Sequence, residues 1–159
     1  MTEELSIQER FAPENRCFGC GPSNEKGLRI RSFPDPEDPG RLLCDWQPEE
    51  HHEAFANVLN GGIIGALLDC HSNWTAAWHF MRRDDLQTPP VTVTADFHVR
   101  LKRPTPLGQP VWVRAWAVED KGSKVKVEAD LGSGEKVTAT CTGTFVAVAP
   151  DHPAAHSRR

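Results

Sequence analysis

Asn60-Gly61-Gly62-Ile63-Ile64-Gly65-Ala66-Leu67-Leu68-Asp69-Cys70-His71-Ser72-Asn73-Trp74-Thr75-Ala76-Ala77-Trp78-His79-Phe80-Met81 decides how the rest of this chain is read. Asparagine is a residue type that caps helices, accepting a bond from an orphan N–H of the first turn. Apolar residues then recur at helical spacing (Ile64, Leu67, Leu68, Trp74, Ala77, Trp78, Met81) with no proline among them, which predicts one long helix. Apolar positions fall on most other sides too, so the helix is expected to be wrapped rather than half exposed. One carboxylate, Asp69, sits inside it and needs a task.

The residues that could do the wrapping follow. Val91, Val93, Ala95, Phe97, Val99 and Leu101 alternate with polar neighbours and are expected to point one way. A loop Pro104-Thr105-Pro106-Leu107-Gly108 leads to a strand with Val111, Val113, Ala115 and Ala117 on one face and Trp112, Arg114 and Trp116 on the other. A turn over 119–123, a strand with Val125, Val127, Ala129 and Leu131, a hairpin signal Gly132-Ser133-Gly134 and a strand over 137–147 complete the series. Before the helix, Leu28 to Phe33 reads as a first strand, Pro34 to Gly40 as a loop and Arg41 to Trp46 as a second strand. The order is β-β-α-β-β-β-β, in which each long strand has one apolar face, as in an antiparallel sheet covered on one side. The class is α+β, with a sheet curled around one helix.

Length and composition narrow the possibilities. A chain of 159 residues is one domain by the usual prior. Residues 1–16 read as a polar arm (a short helix or loose), 17–149 as the domain, and 150–159 as a disordered tail. Eighteen Lys and Arg against 22 Asp and Glu, net −4, argue against nucleic acid as a partner. The apolar stretches are too short for a membrane span, and the start lacks the pattern of a signal peptide. Five cysteines without framework spacing fit free thiols in a reducing compartment, so a soluble cytoplasmic protein is expected.

A glycine pair at the start of a wrapped helix, with an acid two turns later, resembles the hot-dog fold. In detail the chain is similar to the phenylacetic-acid-degradation (PaaI-like) branch of the acyl-CoA thioesterases. The resemblance runs from residue 17 to about 148 and rests on Cys17-Phe18-Gly19-Cys20-Gly21-Pro22 with Asn24, Gly27 and Leu28, on Gly61 to Asp69, and on the Pro104–Gly108 loop. Most members of that family carry histidine before the glycine pair, where this chain has Asn60. The resemblance implies hydrolysis of an acyl-CoA or related thioester. Coenzyme A would enter as part of the substrate, with no metal or redox cofactor required.

Such chemistry needs oxyanion donors and a base or nucleophile beside the carbonyl carbon. N–H groups at Gly61, Gly62 and Ile63 and the positive end of the helix dipole would supply the donors, with the Asn60 amide as an addition. Asp69 would be the base or nucleophile, and Asn73, one turn on, would orient it or the water. Gly62 and Asp69 are seven residues apart, roughly 10 Å along a helix axis, too far to share one carbonyl. The resemblance implies a solution: a dimer in which one helix start meets the neighbour's acid; for this chain a dimer of dimers is expected. Arg100, Lys102 and Arg103, or Arg82 and Arg83, could clamp the phosphates of coenzyme A, and Asn57 is a further candidate substrate contact. Trp74, Trp78 and Phe55 hint at a hydrophobic acyl group, and Trp112 and Trp116 at a subunit interface.

Plainer readings stand beside these. Asn60 can be only an N-cap, the glycines can serve close packing, and Asp69 and Asn73 can be buried polar groups bonded to a strand. Cys17 and Cys20 with His51 and His52 form a weak Cys₂His₂ pattern; Cys70 and Cys141 sit on apolar patterns and read as core. An acyl-CoA or small-ligand binding protein of the same fold without turnover is the rival function. A hydratase would need an Asp–His pair on the helix that is not apparent.

Overall fold

The computed structural model describes residues 3–158, without the side chains of 156–158. A short helix α1 (Ile7–Phe11) is followed by strands β1 (Phe33–Pro34) and β2 (Leu42–Trp46) and by the central helix α2 (Gly61–Arg83). Strands β3 (Thr92–Leu101), β4 (Val111–Lys121), β5 (Lys124–Ser133) and β6 (Lys136–Ala147) complete a six-stranded sheet in the order β1-β2-β4-β5-β6-β3. Every pairing is antiparallel. This is the expected β-β-α-β-β-β-β hot-dog architecture.

Helix α2 owes its position to its side chains. Ile64, Leu67, Leu68, Trp74, Ala77 and Phe80 are buried and meet Val111, Val113, Ala115, Val125, Val127, Ala129, Leu131 and Phe145 in one core. Burying each large apolar side chain contributes about 1.5–3 kcal/mol, so the sheet face and this helix define each other. The opposite side of the helix is covered by residues 17–32. There Gly19 is backed against Cys70 so closely that a Cβ would collide with the Cys70 sulfur. Between these two covers runs an incompletely buried stripe at helical spacing: Gly62, Ala66, Asp69 and Asn73.

A buried polar chain ties the N-terminal segment to the helix. Gln8 Nε2 donates to Ser32 Oγ at 2.9 Å and Gln8 Oε1 accepts from the Ser32 amide at 2.9 Å. Ser32 Oγ lies 2.8 Å from His71 Nδ1, and His71 Nε2 lies 2.9 Å from the carbonyl of Leu42. A carbonyl can only accept, so Nε2 carries the proton and Nδ1 takes the serine hydroxyl. Ser6 caps α1 in a capping box with Glu9, and Ile7 is buried, so residues 3–16 belong to the packed structure rather than forming a loose arm.

Several expectations need correction. Residues 28–32 are not a sheet strand: Leu28 and Ile30 bond to the carbonyls of Phe18 and Gly19, and only Phe33–Pro34 pairs with β2. Pro34, which the pattern assigns to a loop, is tolerated because β1 is an outer strand and needs few donors. Helix α2 continues past Met81 to Arg83, and β4 extends through Lys121, into the region expected to turn. The tail expected to be disordered forms a 3₁₀ turn over Pro153–Arg158, capped by His152 Nδ1 on the Ala154 amide.

The largest departure is in β3. A register shift between Thr94 and Asp96 breaks its alternation. Before this bulge Thr92 and Thr94 turn towards the helix; after it Phe97 and Leu101 do, lying against Gly65 and Gly61. The expected single apolar face from Val91 to Leu101 is therefore two half-faces of opposite sense.

Candidate active site

Asp69 lies where α2 faces the first half of β3. The bulge brings Thr94 over the helix, and its hydroxyl donates to Asp69 Oδ1 at 2.7 Å. Asn73 Nδ2 donates in turn to Thr94 Oγ1 at 3.3 Å. Asn73 thus reaches the carboxylate through the threonine. The carboxylate borders a cavity of about 460 Å³ lined by Asn15, Arg16, Cys17, Cys20, Asp69, Cys70, Asn73, Trp74, Thr92 and Thr94. Burial raises the pKa of Asp69 above the ordinary carboxylate range, partly opposed by the Thr94 bond and reinforced by negative charge on Cys17. A carboxylate placed in this way is a better base than a solvated one.

Three thiols share that cavity. The sulfurs of Cys17, Cys20 and Cys70 all lie within 4.8 Å of one another, with 3.8 Å between Cys17 and Cys70. The neighbouring Cys20 and Cys70 thiols lower the pKa of Cys17 below that of an ordinary thiol, with a smaller effect of the Cys20 and Gly19 backbone. Interaction with Cys17 pushes Cys20 up to about 12, and Cys70 rises as well. Cys70, expected in the core, is packed against it only in part and also borders the cavity, whereas Cys141 is buried in β6 as expected. The Cys₂His₂ pattern is not assembled: His52 packs at a tilt against Trp46 and accepts the Glu49 amide, beside His51.

At the helix start, Asn60 Oδ1 accepts the amides of Gly62 at 2.8 Å and Ile63 at 3.2 Å. Two of the three expected oxyanion donors are thus engaged by the cap, and the Gly61 N–H lies outside it. A carboxamide that turns its oxygen to the helix directs its Nδ2 group outward, and Asn60 is exposed. None of Asn60, Gly61 and Gly62 lines the Asp69 cavity of the same chain. The structure thus brings Asp69 and Asn73 together and leaves the helix start apart from them.

The remaining candidates fall elsewhere. Asn57 sits in a tight turn with φ of 65° and its carbonyl accepts from Leu107. Arg100, Lys102 and Arg103 are exposed at the end of β3, away from the Asp69 cavity, whose basic residue is Arg16. Arg83 is committed to Asp84 and Asp120. Of the apolar candidates Trp74 lines the cavity, Trp78 is bonded to the Pro39 carbonyl and Phe55 is 79% exposed. Trp112 packs under Arg114 and donates to the Gly134 carbonyl. Thr94 and Arg16 were missed: a threonine in an alternating strand carries no signal until the bulge is known.

The model of the thioesterase superfamily matches residues 56–140, more than half of the chain and the whole of α2 with most of the sheet. The chain belongs to the thioesterase superfamily, and its fold is the hot-dog fold of PaaI-like proteins. Membership supports thioester hydrolysis as its general chemistry. Its structure is similar to that of a thioesterase superfamily protein (20% identity, 92% of this chain and 71% of that one, TM-score 0.70). It is also similar to zebrafish thioesterase superfamily member 2 (17% identity, 91% and 100%, TM-score 0.68). A third likeness is to the Escherichia coli PaaI protein from the phenylacetic acid degradation operon (13% identity, 77% and 81%, TM-score 0.64). No curated protein matches the chain in sequence. No helix among the described residues is long and apolar enough to cross a membrane.

Proposed function

We propose that the protein hydrolyses an acyl-CoA, or a closely related acyl thioester, to the free acid and thiol. The observation that carries the reading is the half-buried Asp69, raised in pKa and held by Thr94 at the wall of a cavity beside Trp74. Asp69 takes a proton from water as the water adds to the thioester carbonyl. The resulting oxyanion is received by the Gly61 N–H and the outward Nδ2 of Asn60 at a helix start, whose dipole favours negative charge. Collapse expels the thiolate, and the proton on Asp69 neutralises it.

Asp69 and Gly61 on one helix are too far apart to share a carbonyl. The site is therefore completed by a second copy. Supporting this, β3 ends the sheet with an edge unpaired among the described residues, exposes Phe97 by 44% and Leu101 by 59%, and runs beside the open stripe of Gly62, Ala66 and Asp69. A long apolar edge of this kind invites pairing with another chain. Arg16 at the cavity, or Arg100, Lys102 and Arg103 across the interface, meets the phosphates.

The test is thiol release from a panel of short, long and aromatic acyl-CoAs, repeated with Asp69→Asn. Loss of a general base costs about 10²–10⁴-fold in turnover. Undiminished turnover in the variant removes Asp69 from the chemistry. One observation favours the rival, a ligand-binding protein without turnover: the cap formed by Asn60 engages two of the helix-start amides. Tight acyl-CoA binding with no thiol release would establish that rival.

A further inference from the structure

No sulfur of the three-thiol cluster takes a step in the hydrolysis proposed above. Cys17 and Cys20 come from a turn, Cys70 from the middle of α2, and the three sulfurs converge although the residues are up to 53 positions apart in sequence. Apolar packing does not explain this. Cys17 is exposed, and Cys70 borders a cavity that also holds a carboxylate.

The surroundings are built around the sulfurs. Gly19 allows the turn to press against Cys70, since any side chain there would strike the Cys70 sulfur. The turn is fixed by the Gly21 amide on the Cys17 carbonyl at 2.8 Å, and by Leu28 and Ile30 on the carbonyls of Phe18 and Gly19 at 2.7 and 3.0 Å. Asn15 Oδ1 anchors the Cys17 amide at 2.7 Å. Trp74 Nε1 donates to Cys20 Sγ at 3.3 Å. N–H groups aimed at sulfur stabilise thiolates, and outer partners of this kind orient ligands around a metal ion.

Distances select among the uses of three thiols. Zinc binds thiolate at about 2.3 Å in tetrahedral geometry, which places neighbouring sulfurs about 3.8 Å apart. Cys17 and Cys70 are separated by 3.8 Å, and Cys20 lies within 4.8 Å of both. A disulfide would require the pair to close to about 2.05 Å and would leave the third thiol with no task. Soft thiolate donors in a tetrahedral set select zinc among the common divalent ions.

We propose that Cys17, Cys20 and Cys70 form a zinc-binding site in the wall of the Asp69 cavity, with a fourth coordination position open to that cavity. Binding releases the protons of the Cys20 and Cys70 thiols to solvent and pins the 17–20 turn to α2. The site does not depend on the thioesterase reading.

The test uses the full chain, reduced and stripped of metal. Titration with Co²⁺ is expected to give sulfur-to-cobalt charge-transfer absorption saturating at one ion per chain, and Zn²⁺ to displace it and raise Tm. Cys17→Ser and Cys70→Ser should each weaken binding by roughly 100-fold or more, exceeding the loss typical of outer-shell partners. Cys141→Ala should leave binding unchanged. Cys17 is exposed, so its variant tests the site without touching the core. Asp69→Asn should still bind the ion, so loss of turnover and loss of metal can be told apart. Absence of charge-transfer absorption in the wild type, or a zinc affinity in Cys17→Ser and Cys70→Ser equal to that of the wild type, overturns the proposal.

Discussion

Acid should unfold this protein through His71 before it protonates most carboxylates. His71 is fully buried, donates through Nε2 to the Leu42 carbonyl, and accepts the Ser32 hydroxyl at Nδ1. Its second nitrogen faces a donor already committed to it, so a second proton has nowhere to go. Burial accordingly lowers its pKa from 6.5 to about 4, against a smaller opposing effect of the Leu42 carbonyl. The unfolded chain binds a proton at His71 below pH 6.5 and the folded chain does not. Stability is therefore full above 6.5 and is lost as pH falls towards 4. At about 1.4 kcal/mol per tenfold change in proton affinity, the loss across that window is roughly 3 kcal/mol, a large share of a typical stability. Urea unfolding at a series of pH values measures it. His71→Gln should be less stable at neutral pH but have a flatter profile, and the difference between the two curves isolates His71 from His52, which is also lowered by burial. If the two profiles run parallel from pH 6.5 to 4, the assignment of the proton to Nε2 in a closed network is wrong.

Four other outcomes follow from the same contacts. Asp69→Asn should raise Tm while abolishing turnover, because it removes a carboxylate held partly out of water and keeps an oxygen for Thr94; a lower Tm would mean the acid is structural. Ser72→Ala should stabilise by roughly 0.5–1 kcal/mol in chemical denaturation, since Ser72 Oγ is buried without a partner among the described residues and alanine is the better helix former. Leu101→Arg, on the exposed β3 edge, should yield a folded monomer by light scattering with turnover reduced at least tenfold, the size of a loss of about 1.4 kcal/mol in transition-state binding; a fully active monomer removes the shared site. Thr94→Val should reduce kcat and move the acid limb of the pH–rate profile upward, because the bond that opposes the raised pKa of Asp69 is gone; an unchanged profile would detach Thr94 from the carboxylate.

The element order was legible because it depends on patterns of period 3.6 and period 2 that tertiary contacts reinforce. Helix α2 and the apolar faces of β4, β5 and β6 lie where the alternation puts them. The acid was legible for a similar reason: Asp69 is the only carboxylate in a run that is otherwise apolar or small up to Cys70. What surrounds Asp69 was not. Thr94 faces it only because of a bulge one residue later, and a bulge leaves the hydrophobic alternation of β3 looking intact. Residues 28–32 mimic a strand because they are alternately buried, yet Arg29 has a φ of 51° and their partners are a turn and a helix instead of a sheet. Cys70 looked apolar by its neighbours in sequence, while its neighbours in space are two other thiols.

Helix α2 therefore serves three surfaces with different physical demands. Ile64, Leu67, Leu68 and Phe80 face the sheet and stabilise the fold. Cys70, His71 and Trp74 face the N-terminal segment through a sulfur cluster, a hydrogen-bonded ring and an N–H···S contact, which fix that segment in one register instead of merely covering the helix. Gly62, Ala66, Asp69 and Asn73 form the incompletely buried stripe between these two covers. Small residues at one end of that stripe admit another backbone, and the polar ones at the other end border a cavity. A monomer would expose both beside the unpaired edge of β3, whereas a second copy docked on that edge would cover the stripe and bring a foreign helix start to Asp69. The same contact that removes the exposed edge would complete the site, so assembly and activity should rise and fall together.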